Sequence, residues 1–301
     1  MIMVFNMLEL FNNYHLIGIG EFSHGIQESW LFRIKLLKYA MKNTNKKIYI
    51  FNEMSVWQAD NIMNNTYYDI KLDKFVQSKN GDKIVIENPV QTKNSAWGKL
   101  WQYMFHSLES KIFLKLIKYI RKNKNRIKLI GIDNDKLARD LDMYKIIMKN
   151  LDKNNVNFLW AHNAHVDDRK LSINTYKWIK KDFPDLKYYC GHYLRKKLKD
   201  KYCIILSQTY EGENRFNGYC SGYACENRIF QLKYIYKKFK YMPNKKYSNG
   251  LLDKFDNKLI EFSNSYYKNN KYGYQEIVES NNWNYILFFN YVHSLEPYYD
   301  Y

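Results

Sequence analysis

The stretch Leu16-Ile-Gly-Ile-Gly-Glu-Phe-Ser-His-Gly-Ile-Gln-Glu-Ser-Trp30 indicates the fold of this 301-residue chain. Its short apolar run ends in glycines, passes through Glu21, and opens a long amphipathic pattern at His24. This pattern predicts a strand, a tight loop and the start of a helix. An acid and an imidazole are thereby placed at the carboxyl end of a strand, where open α/β sheets keep their ligand sites.

The same arrangement recurs three times further along the chain. Apolar runs beginning at Ile48, Ile127 and Val156 end on a glutamate, an aspartate and a histidine, and a second histidine follows the last of them. If the four strands are parallel neighbours, their terminal side chains converge on one edge of one sheet. The candidate site residues are then Glu21, His24, Glu53, Asp133, His162 and His165.

These patterns predict a single α/β domain over residues 1–301, with a central, mostly parallel sheet covered by helices and an active-site cleft at the carboxyl ends of the strands. Covering helices are predicted at 26–41, 56–62, 107–121, 137–148 and 193–198, and a further helix around 251–262. We expect an irregular excursion with one short helix at 64–101, serving as a cleft wall or lid, a hairpin at 209–235 and a last strand at 285–289.

The net charge of +18 raises the question of a nucleic-acid or acidic-membrane partner. The lysines are spread along the chain, which favours a solvated cationic surface over a dedicated nucleic-acid site. The four cysteines show no C-x-x-C spacing, and no apolar run reaches membrane-spanning length. We therefore expect a soluble, cytoplasmic, monomeric protein with free thiols, no membrane contact and a small-molecule substrate.

An acid close to an imidazole suits general base catalysis, because the carboxylate orients the ring and stabilises its protonated form. Glu21 is near enough in sequence to serve His24 in this way, and Glu53 could position the water or the substrate. His162 and His165 could polarise a carbonyl or protonate a leaving group.

Arg33 lies on the apolar stripe of the helix that follows the first strand. Its guanidinium either extends outward along its own stem or is held by Glu21 or Glu53, since an unpaired buried charge is costly.

The spacing of the candidate residues bears on metal-dependent and serine-dependent hydrolysis. His162 and His165 are one residue short of the i, i+4 pair that places two metal ligands on one helix face, so no metal and no cofactor are expected, although a metal-dependent hydrolase stays open as an alternative. A serine hydrolase is disfavoured because no G-x-S-x-G elbow occurs. A basic nucleic-acid-binding or polyanion-binding protein with a relic site is the alternative from another class.

The sequence resembles the erythromycin esterase family. The resemblance rests on Gly18-Ile-Gly-Glu-Phe-Ser-His-Gly25, Arg33, Phe51-Asn-Glu53, Gly131-Ile-Asp133, Trp160-Ala-His-Asn-Ala-His165 and Ser294-Leu-Glu-Pro297. It implies an α/β hydrolytic fold and ester cleavage, with a macrolactone as one candidate substrate and hence a link to antibiotic resistance. Carried over by position, it implies that His24 is the base that activates water without an acyl-enzyme, that Glu21, Arg33 and Glu53 support it, and that His162 is a second essential imidazole. We assign substrate binding to Asp133 and His165.

Overall fold

A computed structural model describes a large part of the chain, and every structural statement below concerns that part. The described residues are 7–22, 26–64, 66–69, 74–77, 111–133, 139–171, 186–215, 227–231, 249–253, 259–263, 274–278 and 282–293. None of the helices within these ranges has the length and apolar character needed to cross a membrane.

Helices and strands alternate over most of the described residues. The helices are α1 Met7–Asn13, α2 Gln27–Asn43, α3 Val56–Asn64, α4 Lys111–Lys122, α5 Arg139–Asn150, α6 Asn163–Val166 and α7 Cys190–Leu198. The strands are β1 Leu16–Glu21, β2 Ile48–Ser55, β3 Thr66–Asp69, β4 Lys74–Gln77, β5 Ile127–Asp133, β6 Val156–His162, β7 Tyr202–Arg215, β8 Asn227–Gln231, β9 Gly250–Leu252, β10 Leu259–Ser263, β11 Tyr274–Val278 and β12 Tyr285–Val292.

One sheet dominates, with strand order β5-β2-β6-β1-β7-β12-β9. Every neighbouring pair from β5 to β12 is parallel, whereas β9 joins β12 and β8 joins β7 in antiparallel fashion. The predicted α/β fold with a mostly parallel central sheet is therefore confirmed. That residues 1–301 form a single domain stays a prediction.

The central strands are apolar along nearly their whole length because helices cover both faces of the sheet. On one face, Leu37 of α2 and Ile117 of α4 are buried in the same core as Ile50 of β2. On the other face, Met143 of α5 and Leu194 of α7 pack in a second core with Leu159 of β6. Because the central strands are parallel, their carboxyl ends lie together at one edge of the sheet, between the two helical layers.

The sequence prediction was wrong in the last third of the chain. The helix expected around 251–262 is replaced by β9, which pairs with β12, and by β10, which pairs with β11. Pairing with another strand decided these short apolar runs, and Gly250 at φ +135° has a backbone conformation foreign to a helix. Within the excursion expected at 64–101, strands β3 and β4 pair in antiparallel fashion. Residues 65, 70–73 and 78–101 lie outside the described residues, so the short helix and the role as a cleft wall or lid stay predictions. The hairpin expected at 209–235 is present as β7 and β8.

Candidate functional site

Four neighbouring strands carry ionisable side chains at or near their carboxyl ends, along one edge of the sheet that we call the carboxyl edge. In strand order these side chains are Asp133 on β5, Glu53 on β2, His162 on β6 and Glu21 on β1. Glu21 stands directly opposite His162 in the β1–β6 ladder. His24 lies outside the described residues.

Arg33 projects from α2 into the space beneath Glu21, and it is 1% exposed. Its Nη1 donates to Glu21 Oε2 at 3.1 Å, while its Nη2 donates to the carbonyls of Ile19 and Ala161 at 2.9 and 3.0 Å. Burial lowers the pKa of Arg33, and the nearby carboxylate of Glu21 opposes this shift. Of the two alternatives left open by the sequence, Arg33 is held by a carboxylate, and it joins the ends of β1 and β6.

Glu53 is aimed across the end of β6 by an irregularity in β2. The β2–β5 register shifts between Asn52 and Ser55, as a β-bulge does. Beyond the last ladder pair between β2 and β6, Glu53 Oε2 accepts a hydrogen bond from the backbone N–H of His162 at 2.7 Å. The side chain therefore takes the place of a backbone acceptor where the ladder stops.

A glycine on the neighbouring strand makes room for this bulge. A Cβ on Gly131 would collide with the backbone carbonyl of Ser55, which is too fixed to move aside. Ser55 itself begins α3, since its Oγ accepts from Gln58 N–H and its own N–H donates to Gln58 Oε1, both at 3.1 Å. The cap and the glycine together fix the backbone that carries Glu53.

Arg139, the first residue of α5, links three neighbours at the carboxyl edge. Its Nε donates to Asp133 Oδ2 at 2.7 Å and its Nη2 donates to Glu53 Oε1 at 2.6 Å, while its Nη1 lies 3.1 Å from His165 Nε2. Burial lowers the pKa of Arg139, but the carboxylates of Asp133 and Glu53 outweigh it and raise the pKa above its ordinary value. The Arg139 side chain is 24% exposed, so solvent reaches the cluster beside this guanidinium.

His165 is buried between carboxylates. Its Nδ1 lies 2.7 Å from Asp140 Oδ1, which also accepts from the backbone N–H of Cys190 in the first turn of α7. Its Nε2 lies 3.3 Å from Glu53 Oε1. Burial lowers the pKa of His165, yet Asp140 and Glu53 outweigh it and raise the pKa to about 10. The ring is thus hydrogen-bonded to Asp140 through Nδ1, while Nε2 contacts both Arg139 and Glu53.

His162 lies at the N-terminus of α6. Its Nδ1 accepts from the N–H of Ala164 at 3.3 Å as the N-cap of α6, a contact that fits the tautomer with its proton on Nε2. The next residue, Asn163, exchanges two side-chain hydrogen bonds with the backbone of Ser207 on β7. A Cβ on Gly20 would occupy the position of the Asn163 amide. The Ala-His-Asn segment thus connects β6 to β7 and presents an N–H donor on His162.

The sequence analysis did not single out Arg139 and Asp140, although both lie in the cluster. Their position in the sequence could have indicated them. A strand was predicted to end at Asp133 and a helix to begin shortly after it, so the first turn of that helix had to lie near the same edge of the sheet. An Arg-Asp pair in that turn was readable as a candidate for the site.

Both carboxylate oxygens of Glu53 accept hydrogen bonds from nitrogen donors, an arrangement unlike that of a metal ligand. Oε1 accepts from Arg139 and Oε2 accepts from His162 N–H. Over the described ranges, no group of three or more His, Cys, Asp or Glu residues is arranged to hold a metal ion.

Comparison with solved structures gives the fold. A protein from Bacillus cereus aligns with a TM-score of 0.59 at 12% identity over 98% of this chain and 92% of its own. A succinoglycan biosynthesis protein aligns with a TM-score of 0.58 at 11% identity over 97% of this chain and 92% of its own. An erythromycin esterase mutant in its open conformation aligns with a TM-score of 0.53 at 10% identity over 98% of this chain and 95% of its own.

The fold is erythromycin-esterase-like. No protein-family model matches the chain, and no curated protein matches it significantly. The likeness at these identities concerns the fold, so the chemistry of the site has to be argued from its own residues.

Proposed function

We propose that this protein hydrolyses a carboxylic ester by direct attack of an activated water molecule at the carboxyl edge. The observation that supports this best is the convergence of Glu53, Asp133, His162 and the buried Arg33–Glu21 pair on adjacent strand ends. Packing alone does not require ionisable groups at four neighbouring strand ends, and burying them is costly unless they are paired.

His24 is the proposed base, on the strength of its place in the sequence motif. It takes a proton from water, and the resulting hydroxide attacks the ester carbonyl carbon. The tetrahedral intermediate then expels the alkoxide, which receives the proton back from the imidazolium, leaving an alcohol and a carboxylic acid that ionises by releasing its own proton to solvent. No acyl-enzyme forms, because water is the nucleophile.

His162 is suited to stabilise the oxygen on which charge develops. In the tautomer that accepts at Nδ1, the proton lies on Nε2, so the ring can donate a hydrogen bond from that nitrogen. Glu53 and Arg139 keep the surrounding charges in fixed positions, since each has at least two partners in the cluster. Preorganised dipoles of this kind need no rearrangement when the reaction begins.

The hydrogen bonds that Glu53 accepts favour catalysis without a metal ion. A divalent cation at Glu53 would have to displace the hydrogen bonds from Arg139 and from His162 N–H, at 2.6 and 2.7 Å. We therefore expect a chelator to leave turnover unchanged. Loss of turnover with chelator and recovery with zinc or manganese would replace this proposal by a metal-dependent hydrolase.

The test is a hydrolysis screen of simple aryl and alkyl esters, lactones and a macrolide. For any substrate that is turned over, Glu53→Gln and His24→Ala should each lower kcat/KM by about 10²- to 10⁴-fold, the usual worth of positioned groups. Asp142→Asn is the matched control on α5, because Asp142 pairs with the exposed Lys145 at 3.4 Å. Full activity in Glu53→Gln, or equal loss in the control, would contradict the proposal.

A further inference from the structure

Lysines that are far apart in the sequence meet at the edge of the sheet opposite the carboxyl edge. We call this surface the amino edge and define it by the segments 42–47, 122–126, 149–155 and 199–201, which lead into β2, β5, β6 and β7. Eight exposed lysines lie in these segments: Lys42, Lys47, Lys122, Lys124, Lys149, Lys153, Lys199 and Lys201.

The four segments are held in register by hydrogen bonds that follow the strand order. Ile48 N–H donates to the carbonyl of Arg126 at 2.8 Å, and Val156 N–H donates to the carbonyl of Lys47 at 2.9 Å. On the other side, the Asn157 side chain donates to the His15 carbonyl at 2.9 Å, and His15 N–H donates to the Lys201 carbonyl at 2.8 Å. The lysines therefore project from a fixed frame, which reduces the entropy lost on binding.

Negative charge is sparse on this surface. The carboxylates of the four segments are Asp152 and Asp200. Asp152 is engaged locally, since its oxygens accept from Asn154 N–H and from the Asn155 side chain, both at 3.0 Å. On these four segments, exposed lysines therefore outnumber carboxylates eight to two.

Helix termini explain part of this distribution. Lys42 and Lys149 lie in the last turns of α2 and α5, where a cation interacts favourably with the helix dipole. Lys47, Lys153 and Lys201 lie outside any α-helix and gain nothing from that effect. Burial lowers the pKa of His15, and the ammonium groups of Lys153 and Lys201 lower it further. The electrostatic fields of these two lysines therefore overlap at His15.

We propose that the amino edge binds nucleic acid without sequence preference, through the phosphate backbone. Five neighbouring strands begin along it, which at about 4.8 Å per strand gives a cationic stripe roughly 20 Å long. An elongated polyanion matches a stripe, and the exposed amides of Asn43, Asn45, Asn125 and Asn154 add donors for phosphate and sugar oxygens.

An anionic membrane fits this surface less well. Stable attachment to a bilayer adds apolar insertion to charge attraction. The exposed large hydrophobic residues of the described part of the chain are Leu31, Val56 and Tyr291, and these lie outside the four segments. The amino edge therefore offers charge and hydrogen-bond donors without an apolar anchor.

The test is fluorescence anisotropy of labelled 20-nucleotide single-stranded and duplex DNA of random sequence, from 50 to 300 mM KCl. The variant Lys47→Gln/Lys124→Gln/Lys153→Gln/Lys201→Gln removes one exposed lysine from each segment. Affinity at 50 mM KCl should fall at least about tenfold, and the slope of log affinity against log salt should shrink by roughly 3, the value for four lost phosphate contacts.

The matched control removes the same charge from exposed lysines elsewhere, with Lys35→Gln/Lys115→Gln/Lys145→Gln/Lys187→Gln. It should change affinity by no more than about twofold. Equal loss in both variants would mean that net charge alone drives binding, and would overturn the proposal. Absence of binding at 50 mM KCl would also overturn it. So would association with phosphatidylserine vesicles that is tighter than association with DNA and that is lost in the four-lysine variant of the amino edge.

The proposed hydrolase function can fail without affecting this result. Glu53→Gln should bind DNA like the wild type, because Glu53 lies at the carboxyl edge. Loss of DNA binding in Glu53→Gln would show that the two surfaces are not separate sites.

Discussion

Two arginines bind the carboxylates of the site, and each of them makes several hydrogen bonds. Arg33 combines Glu21 with two backbone carbonyls, whereas Arg139 combines Asp133 and Glu53 and lies against His165. A planar guanidinium can direct several donors at once, and a lysine ammonium cannot reproduce that geometry. These two side chains hold the ends of β1, β2, β5 and β6 in one arrangement.

His165 makes the stability of the protein depend on pH. Its folded pKa of about 10 lies above the unfolded value of about 6.5, so folding favours the imidazolium form. The stabilisation from this group is complete below pH 6.5 and is lost as pH rises toward 10. We therefore compare the free energies of unfolding of the wild type and of His165→Gln in urea at pH 6, 8 and 9.5. The stability advantage of the wild type should shrink between pH 6 and pH 9.5 by up to about 4 kcal/mol.

The protonation state itself is measurable by nitrogen NMR of the imidazole. At pH 8 we expect both ring nitrogens of His165 to show imidazolium shifts, since Nδ1 faces Asp140 and Nε2 faces Glu53. Shifts of a neutral ring at pH 8, with an unprotonated Nε2, would instead show that Arg139 donates to that nitrogen. The pH-dependent stabilisation would then have to come from other groups.

The residues of the site differ in how far the sequence could predict them. Glu21, Glu53, Asp133 and His162 were accessible because an apolar run followed by an ionisable residue marks the end of a buried strand. The partner of Arg33 was not accessible, because choosing between Glu21 and Glu53 requires the strand order. Asp140 was missed because its role depends on α7, which lies about fifty residues further along the chain.

At the level of elements, the junction between β2 and α3 determines where Glu53 points. The bulge, the Ser55–Gln58 cap and the close approach of Gly131 all act on four consecutive residues. A serine directly before a helical pattern is a cap signal that a sequence can carry. The sequence could not indicate the bulge, because a register shift is a property of two strands.

Gly131→Ala tests this junction. The added Cβ would meet the carbonyl of Ser55, and overpacking of this kind usually destabilises by about 1–3 kcal/mol. We expect that loss in urea unfolding, together with a fall in ester turnover larger than the unfolded fraction explains, because Glu53 is displaced. Lys128→Ala on the exposed side of β5 is the control and should change stability by less than about 0.5 kcal/mol. Unchanged stability and turnover in Gly131→Ala would show that the junction yields without displacing Glu53.

The strands that were predicted wrongly share a physical cause. β9 and β10 are short, and each is stabilised by pairing with a strand later in the chain, β12 and β11 respectively. Local periodicity over three to five residues cannot outweigh such pairing. The long central strands were predicted correctly because burial on both faces makes their apolar runs unambiguous.

At the scale of the whole molecule, the parallel sheet separates two kinds of charge. Parallel strands bring every strand end to one edge and every strand start to the other, so residues scattered along the sequence are sorted by their place in the strand–helix repeat. The lysines were interpreted from the sequence as a dispersed solvated surface. Only the topology brings Lys47, Lys124, Lys153 and Lys201 to one side.

This separation predicts that the two edges act independently. The strands between them have six to eight residues over β1, β2, β5 and β6, or roughly 20–26 Å, which exceeds the Debye length of about 10 Å at 0.1 M salt. Glu53→Gln should lower kcat/KM for the ester by about 10²- to 10⁴-fold with unchanged DNA affinity. The four-lysine variant of the amino edge should lower DNA affinity with unchanged ester turnover. Combining both sets should reproduce the two single effects additively, within about 0.5 kcal/mol. The measurement is ester turnover with and without saturating 20-nucleotide DNA at 0.1 M KCl: a change in kcat or KM on adding DNA would show that the edges are coupled through the sheet.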